Sequence, residues 1–157
     1  MMPTIFLDTG PLGIITNPKK PSATIDILRW AGAHLRVGNR IMVPSIADYE
    51  VRRELIRLGK MAGIASLDTW NHIPSDRFVS LTDSALQLAA NLWAQARNAG
   101  TATADPKELD CDVLIAAQAV DYQAFHGIAS NDIIVATVNV GHLARFIRAD
   151  LWQNIHP

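Results

Sequence analysis

The chain has 157 residues, 49% of them hydrophobic and 18% charged, with a formal net charge of −1. That balance predicts one globular domain spanning residues 1–157, able to bury its own core, and excludes a disordered or fibrous chain. A charge so near zero gives no bulk attraction to nucleic acid, so any polyanion must be held by a local patch or through bound cations.

The first apolar run, Thr4-Ile5-Phe6-Leu7, predicts a short strand that delivers Asp8 to a turn at Thr9-Gly10-Pro11. The stretch from Thr16 to Ser22, rich in Pro and Lys, predicts a loop. Ile41 to Val43 predicts a second strand, followed by a helix running to about Met61 and carrying Glu50; Ser45 and Asp48 have capping-box spacing at its start. Phe78 to Leu81 predicts a third strand. Thr82 or Asp83 then caps a helix built on Ala85, Leu88, Ala89, Leu92 and Ala96, and Asn98-Ala99-Gly100 stops it. Gly100 to Pro106 predicts a loop. From Asp112 onward, Val113, Leu114, Ala116, Ala117 and Val120 form an apolar stripe at helical spacing, with Asp110 and Asp112 at its N-terminal turn, where acids suit the helix dipole. Ile133 to Ala136 predicts a fourth strand, preceded by Asp132 as a turn residue, and the segment after it is less clear. Strands alternating with helices imply an α/β fold with a parallel sheet covered on both faces and right-handed crossovers. Such sheets place their chemistry at the carboxyl ends of the strands, where Asp8 falls.

Asp8, Glu50 and Asp112 all lie beside apolar segments without an obvious solvating role. Carboxylates that converge repel one another, so one of them protonates or a divalent cation neutralises them. An oxygen-only set suits Mg²⁺ or Mn²⁺, which keep several waters and accept phosphate oxygens. Simpler roles exist for each: Asp8 can cap the turn at Thr9-Gly10, Glu50 can pair with Arg53 or Arg57 on its own helix, and Asp112 can serve the dipole alone. One cysteine, Cys111, excludes an intramolecular disulfide and fits a reducing compartment, and no Cys/His cluster has zinc spacing. An apolar helix face would raise the Cys111 pKa, and no base is placed to activate it. No apolar run reaches the roughly 18 residues of a membrane helix, and the first residues lack signal-peptide character, so a cytoplasmic protein with no membrane partner is expected.

Leu7-Asp8-Thr9-Gly10-Pro11-Leu12, Val43-Pro44-Ser45 with Glu50 beyond it, Asp112-Val113-Leu114-Ile115-Ala116-Ala117-Gln118-Ala119, and Val135-Ala136-Thr137-Val138-Asn139 with His142-Leu143 together resemble the PIN-domain nucleases, in particular the VapC-type toxins of toxin–antitoxin pairs. The likeness runs over almost the whole chain. It implies a three-layer α/β/α sandwich with a central parallel sheet, Asp8, Glu50 and Asp112 as metal ligands and catalytic residues, and Thr137 as a hydroxyl that orients a ligand or water. Asn139 stands where the family often has an acid; its amide oxygen can still bind a metal or its water but adds no charge. The implied activity is Mg²⁺- or Mn²⁺-dependent hydrolysis of single-stranded RNA. The implied partners are the RNA, a small antitoxin that blocks the cleft, and a second copy in a homodimer.

The remaining features rank lower. Asp110 lies two residues before Asp112, a spacing that turns it to another helix face, so it reads as a dipole or supporting acid. His142 reads as a neighbour of the site rather than a ligand. Arg52, Arg53, Arg57 and Lys60, with Lys19 and Lys20, flank the expected cleft and could steer a phosphate backbone. Trp30, Trp70, Trp93 and Trp152 read as core or interface anchors. A non-catalytic nucleic-acid-binding or scaffold domain of the same fold is the rival reading. A phosphotransferase with Asp8 as nucleophile ranks last, because Gly10 stands where its second aspartate belongs.

Overall fold

The structure, a computed structural model, describes residues 2–100 and 106–157, with side chains throughout except at 106–108. In chain order the elements are β1 (Thr4–Leu7), α1 (Thr9–Ile15), α2 (Ser22–Arg36), β2 (Arg40–Pro44), α3 (Ser45–Arg57), α4 (Met61–His72), β3 (Phe78–Val79), α5 (Asp83–Asn98), α6 (Pro106–His126), β4 (Ile133–Thr137) and β5 (Ala149–Leu151).

All four residues of β1 are buried. Apolar side chains on both faces are what a central strand of a parallel sheet requires. It pairs with β2 on one side, Ile5 opposite Ile41, and with β4 on the other, Ile5 opposite Ile134. The sheet is wholly parallel in the order β3-β2-β1-β4-β5. The chain therefore builds outward through β2 and β3, then returns past β1 to lay down β4 and β5. That reversal makes the β1/β4 boundary the switch point of the sheet, where a crevice opens beyond the strand ends. The main core packs Phe6, Leu7, Leu12, Ile27, Leu67, Ile115 and Ile133 about the sheet, and a smaller cluster of Ala89, Ala96, Leu109, Val113 and Ala117 joins α5 to α6.

Several boundaries differ from the sequence expectation. The helix expected to reach Met61 stops at Arg57, because Leu58-Gly59-Lys60 forms a Schellman turn: Gly59 has φ +63°, its N–H donates to Ile56 O, and the Lys60 N–H donates to Leu55 O. No capping box forms at its start. Pro44 is the N-cap, without a side-chain cap bond, and Asp48 turns instead to Arg52 and Asn71. The third strand is only Phe78–Val79, since Thr82 already caps α5 by accepting from the Ala85 N–H at 3.0 Å. Gly100 (φ +66°) ends α5 as expected, while residues 101–105 of the expected loop lie outside the described residues. Helix α6 starts at Pro106, a residue suited to a first helical position, so Asp110 and Asp112 fall in its second turn rather than at its dipole end. Helices α2 and α4 and strand β5 go beyond the elements expected from the sequence; β5 is three half-buried residues after a 3₁₀ turn at Leu143–Arg145. Among the described residues no helix is long and apolar enough to cross a membrane.

Candidate active site at the carboxyl edge of the sheet

Asp8 follows the last residue of β1 and is the N-cap of α1, its Oδ1 accepting from the Thr9 N–H at 2.8 Å. Its own N–H donates to Ala136 O at 2.9 Å, which ties it to β4 across the switch point. In-register pairing of Leu7 with Ala136 brings the next residues abreast, and the buried Thr137 hydroxyl donates to Asp8 Oδ2 at 2.7 Å. The same hydroxyl oxygen accepts from the Asn139 N–H at 3.1 Å. Gly10 allows the turn after β4 to approach this closely: a Cβ there would lie 2.5 Å from Val138 Cγ2.

Glu50 arrives from α3, in the second turn after β2. The Thr9 hydroxyl donates to Glu50 Oε1 at 2.7 Å, so one residue serves two carboxylates, Asp8 through its N–H and Glu50 through its side chain. Burial pushes the Asp8 pKa above the ordinary carboxylate value; the bonds from Thr137 and Thr9 pull it back, and the negative Glu50 pushes it up again. Two acids with that mutual repulsion form a place where a cation would lower the free energy.

Helix α3 is held in position by α6. With no side chain capping α3, the buried Gln118 does the work from across the fold: its Oε1 accepts from the Ile46 N–H at 3.2 Å, and its Nε2 donates to Ser45 Oγ at 3.1 Å and Val79 O at 3.0 Å. Gln118 lies in the Asp112-to-Ala119 motif, where nothing local marks it as this clamp.

Two turns earlier on α6, the Cys111 thiol lies against Glu50. Burial pushes its pKa up to about 12, helped by the Glu50 carboxylate and its hydrogen bond and, more weakly, by Asp112, while Arg53 opposes. Such a thiol is protonated and unreactive near neutrality. Asp112 is half-buried on the same turn, one residue beyond this contact. Among the described residues, no three Asp, Glu, His or Cys side chains close around a common point that could hold an ion. Asp8 and Glu50 are thus brought together through Thr9, and Asp112 is not part of that pair. Two carboxylates with free lone pairs fit a hard cation such as Mg²⁺, which keeps most of its waters and takes one or two protein carboxylates.

The basic residues of α3 sort themselves. Arg52 makes a two-pronged pair with Asp48 at 2.9 Å and reaches Asp68 at 2.6 Å, locking α3 to α4. Arg57 pairs with Glu54 on its own helix at 2.7 Å. Arg53 alone of the α3 arginines contacts a site carboxylate, Glu50, at 3.5 Å. Lys60 precedes α4, and Lys19 and Lys20 are exposed between α1 and α2.

Asp110 is exposed and borders Leu86, Ala90 and Trp93 of α5. Asp132 closes a 3₁₀ turn ahead of β4, at the opposite end of the sheet. His142 is half-buried beyond Asn139 and opens the 3₁₀ turn at Leu143–Arg145. The tryptophans are anchors: Trp152 is buried, the Trp30 Nε1–H donates to Ile155 O at 2.8 Å, Trp70 lies under the Arg77 guanidinium at 3.8 Å, and Trp93 packs on the α5/α6 cluster.

No family model matches the chain, and a search of curated proteins finds no match. Solved structures do match in fold. A chain of VapBC2 from Rickettsia felis, a complex bound to a DNA fragment from its promoter, aligns with a TM-score of 0.65 at 17% identity, covering 95% of this chain and 98% of that one. FitAcB from Neisseria gonorrhoeae aligns with a TM-score of 0.63 at 16% identity, covering 96% and 99%. DNA-bound VapBC from Salmonella typhimurium aligns with a TM-score of 0.61 at 19% identity, again covering 96% and 99%. With five parallel strands, helices on the sheet and near-complete coverage of these chains, the protein has the PIN-like α/β fold that its resemblance to VapC-type toxins implied.

Proposed function

We propose that this chain is a divalent-metal-dependent endoribonuclease, the toxin of a toxin–antitoxin pair whose small antitoxin partner blocks the cleft. The observation that carries the reading is the pairing of Asp8 and Glu50 through Thr9 at the switch point of the sheet. The likeness to the VapBC2 and VapBC complexes supports the partner. The same reading takes the protein to be a cytoplasmic homodimer.

Asp8 and Glu50 are the residues that would hold Mg²⁺ or Mn²⁺, and Asp112 is proposed as the third ligand on the family resemblance alone. Bound there, the cation supplies charge neutralisation at the phosphodiester and acidifies the attacking water. Thr137 fixes the Asp8 carboxylate by donating to Oδ2, and Thr9 fixes Glu50 by donating to Oε1, leaving each carboxylate with lone pairs for a cation. Asn139 presents a neutral amide at the rim and orients water or phosphate by hydrogen bonding.

The test is incubation of the purified protein with labelled single-stranded RNA in Mg²⁺, Mn²⁺ or EDTA, beside Asp8→Asn and Asp112→Asn. Cleavage that needs the metal and falls by 100-fold or more in both variants is the expected result. The neutral Asn139 favours one rival, a non-catalytic nucleic-acid-binding or scaffold domain. RNA left intact under every metal, by protein that still binds it, would establish that rival instead.

A further inference from the structure

The proposed nuclease leaves open what grips the RNA beside the acids, and the exposed face of α3 offers a pair of side chains for it. Tyr49 is 56% exposed next to Glu50, and the Arg53 guanidinium lies 5.2 Å from the centre of its ring. Arg53 is half-exposed and reaches Glu50 at 3.5 Å, so it lies beside the acids on the exposed side of α3. Its neighbours are committed elsewhere, Arg52 to Asp48 and Asp68 and Arg57 to Glu54. The contact with Glu50 is long and single, unlike the two-pronged grip on Arg52. A cation on Glu50 would compete for the same carboxylate charge and free Arg53 for another anion.

An exposed aromatic ring carrying an arginine one helical turn away is the minimal apparatus for single-stranded nucleic acid: the ring stacks a base, and the fork takes the adjoining phosphate. We infer that Tyr49 and Arg53 form a nucleotide subsite beside the acids, Tyr49 stacking a base of single-stranded RNA and Arg53 holding the phosphate next to the one that is cut. This rests on the nuclease reading above. Stacking ignores base identity, so the subsite selects unpaired strands over duplex and imposes little sequence preference. Neither side chain contributes to the buried core, so their removal leaves the fold intact.

Cleavage kinetics on a labelled single-stranded octamer, with anisotropy binding of the same RNA to the Asp8→Asn protein, test the assignment. Tyr49→Ala and Arg53→Gln are expected to raise KM and the binding Kd about tenfold, the loss of one stacked base or one phosphate contact, with kcat within twofold. Tyr49→Phe, which keeps the ring, should bind within twofold of its parent. Arg53→Gln should also flatten the salt dependence of binding by about 0.7 in log–log slope, one released counterion on a single strand. Wild-type cleavage with KM unchanged in both Tyr49→Ala and Arg53→Gln would overturn the subsite and leave the nuclease standing. RNA binding that weakens in both variants while no protein cleaves would keep the subsite and remove the nuclease. A wild-type protein that neither binds nor cuts RNA would end both.

Discussion

Asp8 is stabilised as an anion by two donors and destabilised by its burial and by Glu50, and the balance leaves its pKa above the ordinary carboxylate value. A raised folded-state pKa means that the folded protein prefers the protonated acid. The associated stability is fully present below the unfolded carboxylate pKa of about 4 and is lost as pH rises through the higher folded value. Asp8→Asn removes that loss. The Thr9 N–H can still donate to the amide oxygen, and the Thr137 hydroxyl can accept from the amide nitrogen while donating to Asn139 O, 3.1 Å away. The metal-free variant is therefore expected to melt above the wild type at pH 7.5, and the gap should close as pH falls toward 4. Thermal melts across pH in EDTA check this; a variant less stable than wild type at pH 7.5 would show that the carboxylate is net stabilising. The identity of Asp8 and Glu50 was legible because each lies beside an apolar run that needs no acid. The hydroxyl that joins them was not, because Thr9 and Glu50 are 41 residues apart and nothing local marks a threonine as a bridge.

At the level of elements, the start of α3 decides where Glu50 points, and the sequence assigned that start to the wrong partner. Ser45 and Asp48 have capping-box spacing, yet Asp48 is drawn off by the Arg52 fork and by Asn71. The orphan Ile46 N–H is met by Gln118, 72 residues away. Local propensity lost to a tertiary donor, which single-sequence reading does not see. The same blindness let the Asp110 and Asp112 turn pass for a helix start: apolar periodicity begins near Asp112, whereas the helix begins at Pro106. The break at Gly59 was readable in principle, since a glycine followed by a lysine ends many helices. Gln118→Leu should test the clamp. It strips partners from the Ile46 N–H, the Ser45 hydroxyl and the Val79 carbonyl in a largely dry place, at an expected cost of about 2–4 kcal/mol in urea unfolding. A change below ~0.5 kcal/mol would show that those groups find other partners. Cleavage should fall with it, because α3 loses the contact that fixes the direction of Glu50.

For the molecule as a whole, the parallel alternation of strands and helices was legible, but the strand order was not. Periodicity marks which segments are strands; it says nothing about which side of β1 receives β4. That placement matters most for function, since it brings Thr137 to Asp8 and opens the crevice at the β1/β4 boundary. A site assembled from β1, α3 and β4 ties any bound cation to the global fold, because Asp8 and Glu50, far apart along the chain, meet only in the folded state. Binding at that site must then raise the free energy of unfolding by mass action, by about 2.7 kcal/mol when the free ion stands at 100 times its Kd. For a domain of this length that corresponds to a rise of ~5–10 °C in Tm. Titrating Mn²⁺ into the wild type should produce this rise, and Asp8→Asn, the more stable protein without metal, should gain at most a small fraction of it, so that the two melting curves cross as the ion is added. Parallel curves would show that the cation binds away from the crevice or not at all. The crossing distinguishes a metal centre from a pair of acids that merely tolerate each other, because a purely structural pair would gain nothing from the ion and would keep Asp8→Asn ahead at every concentration.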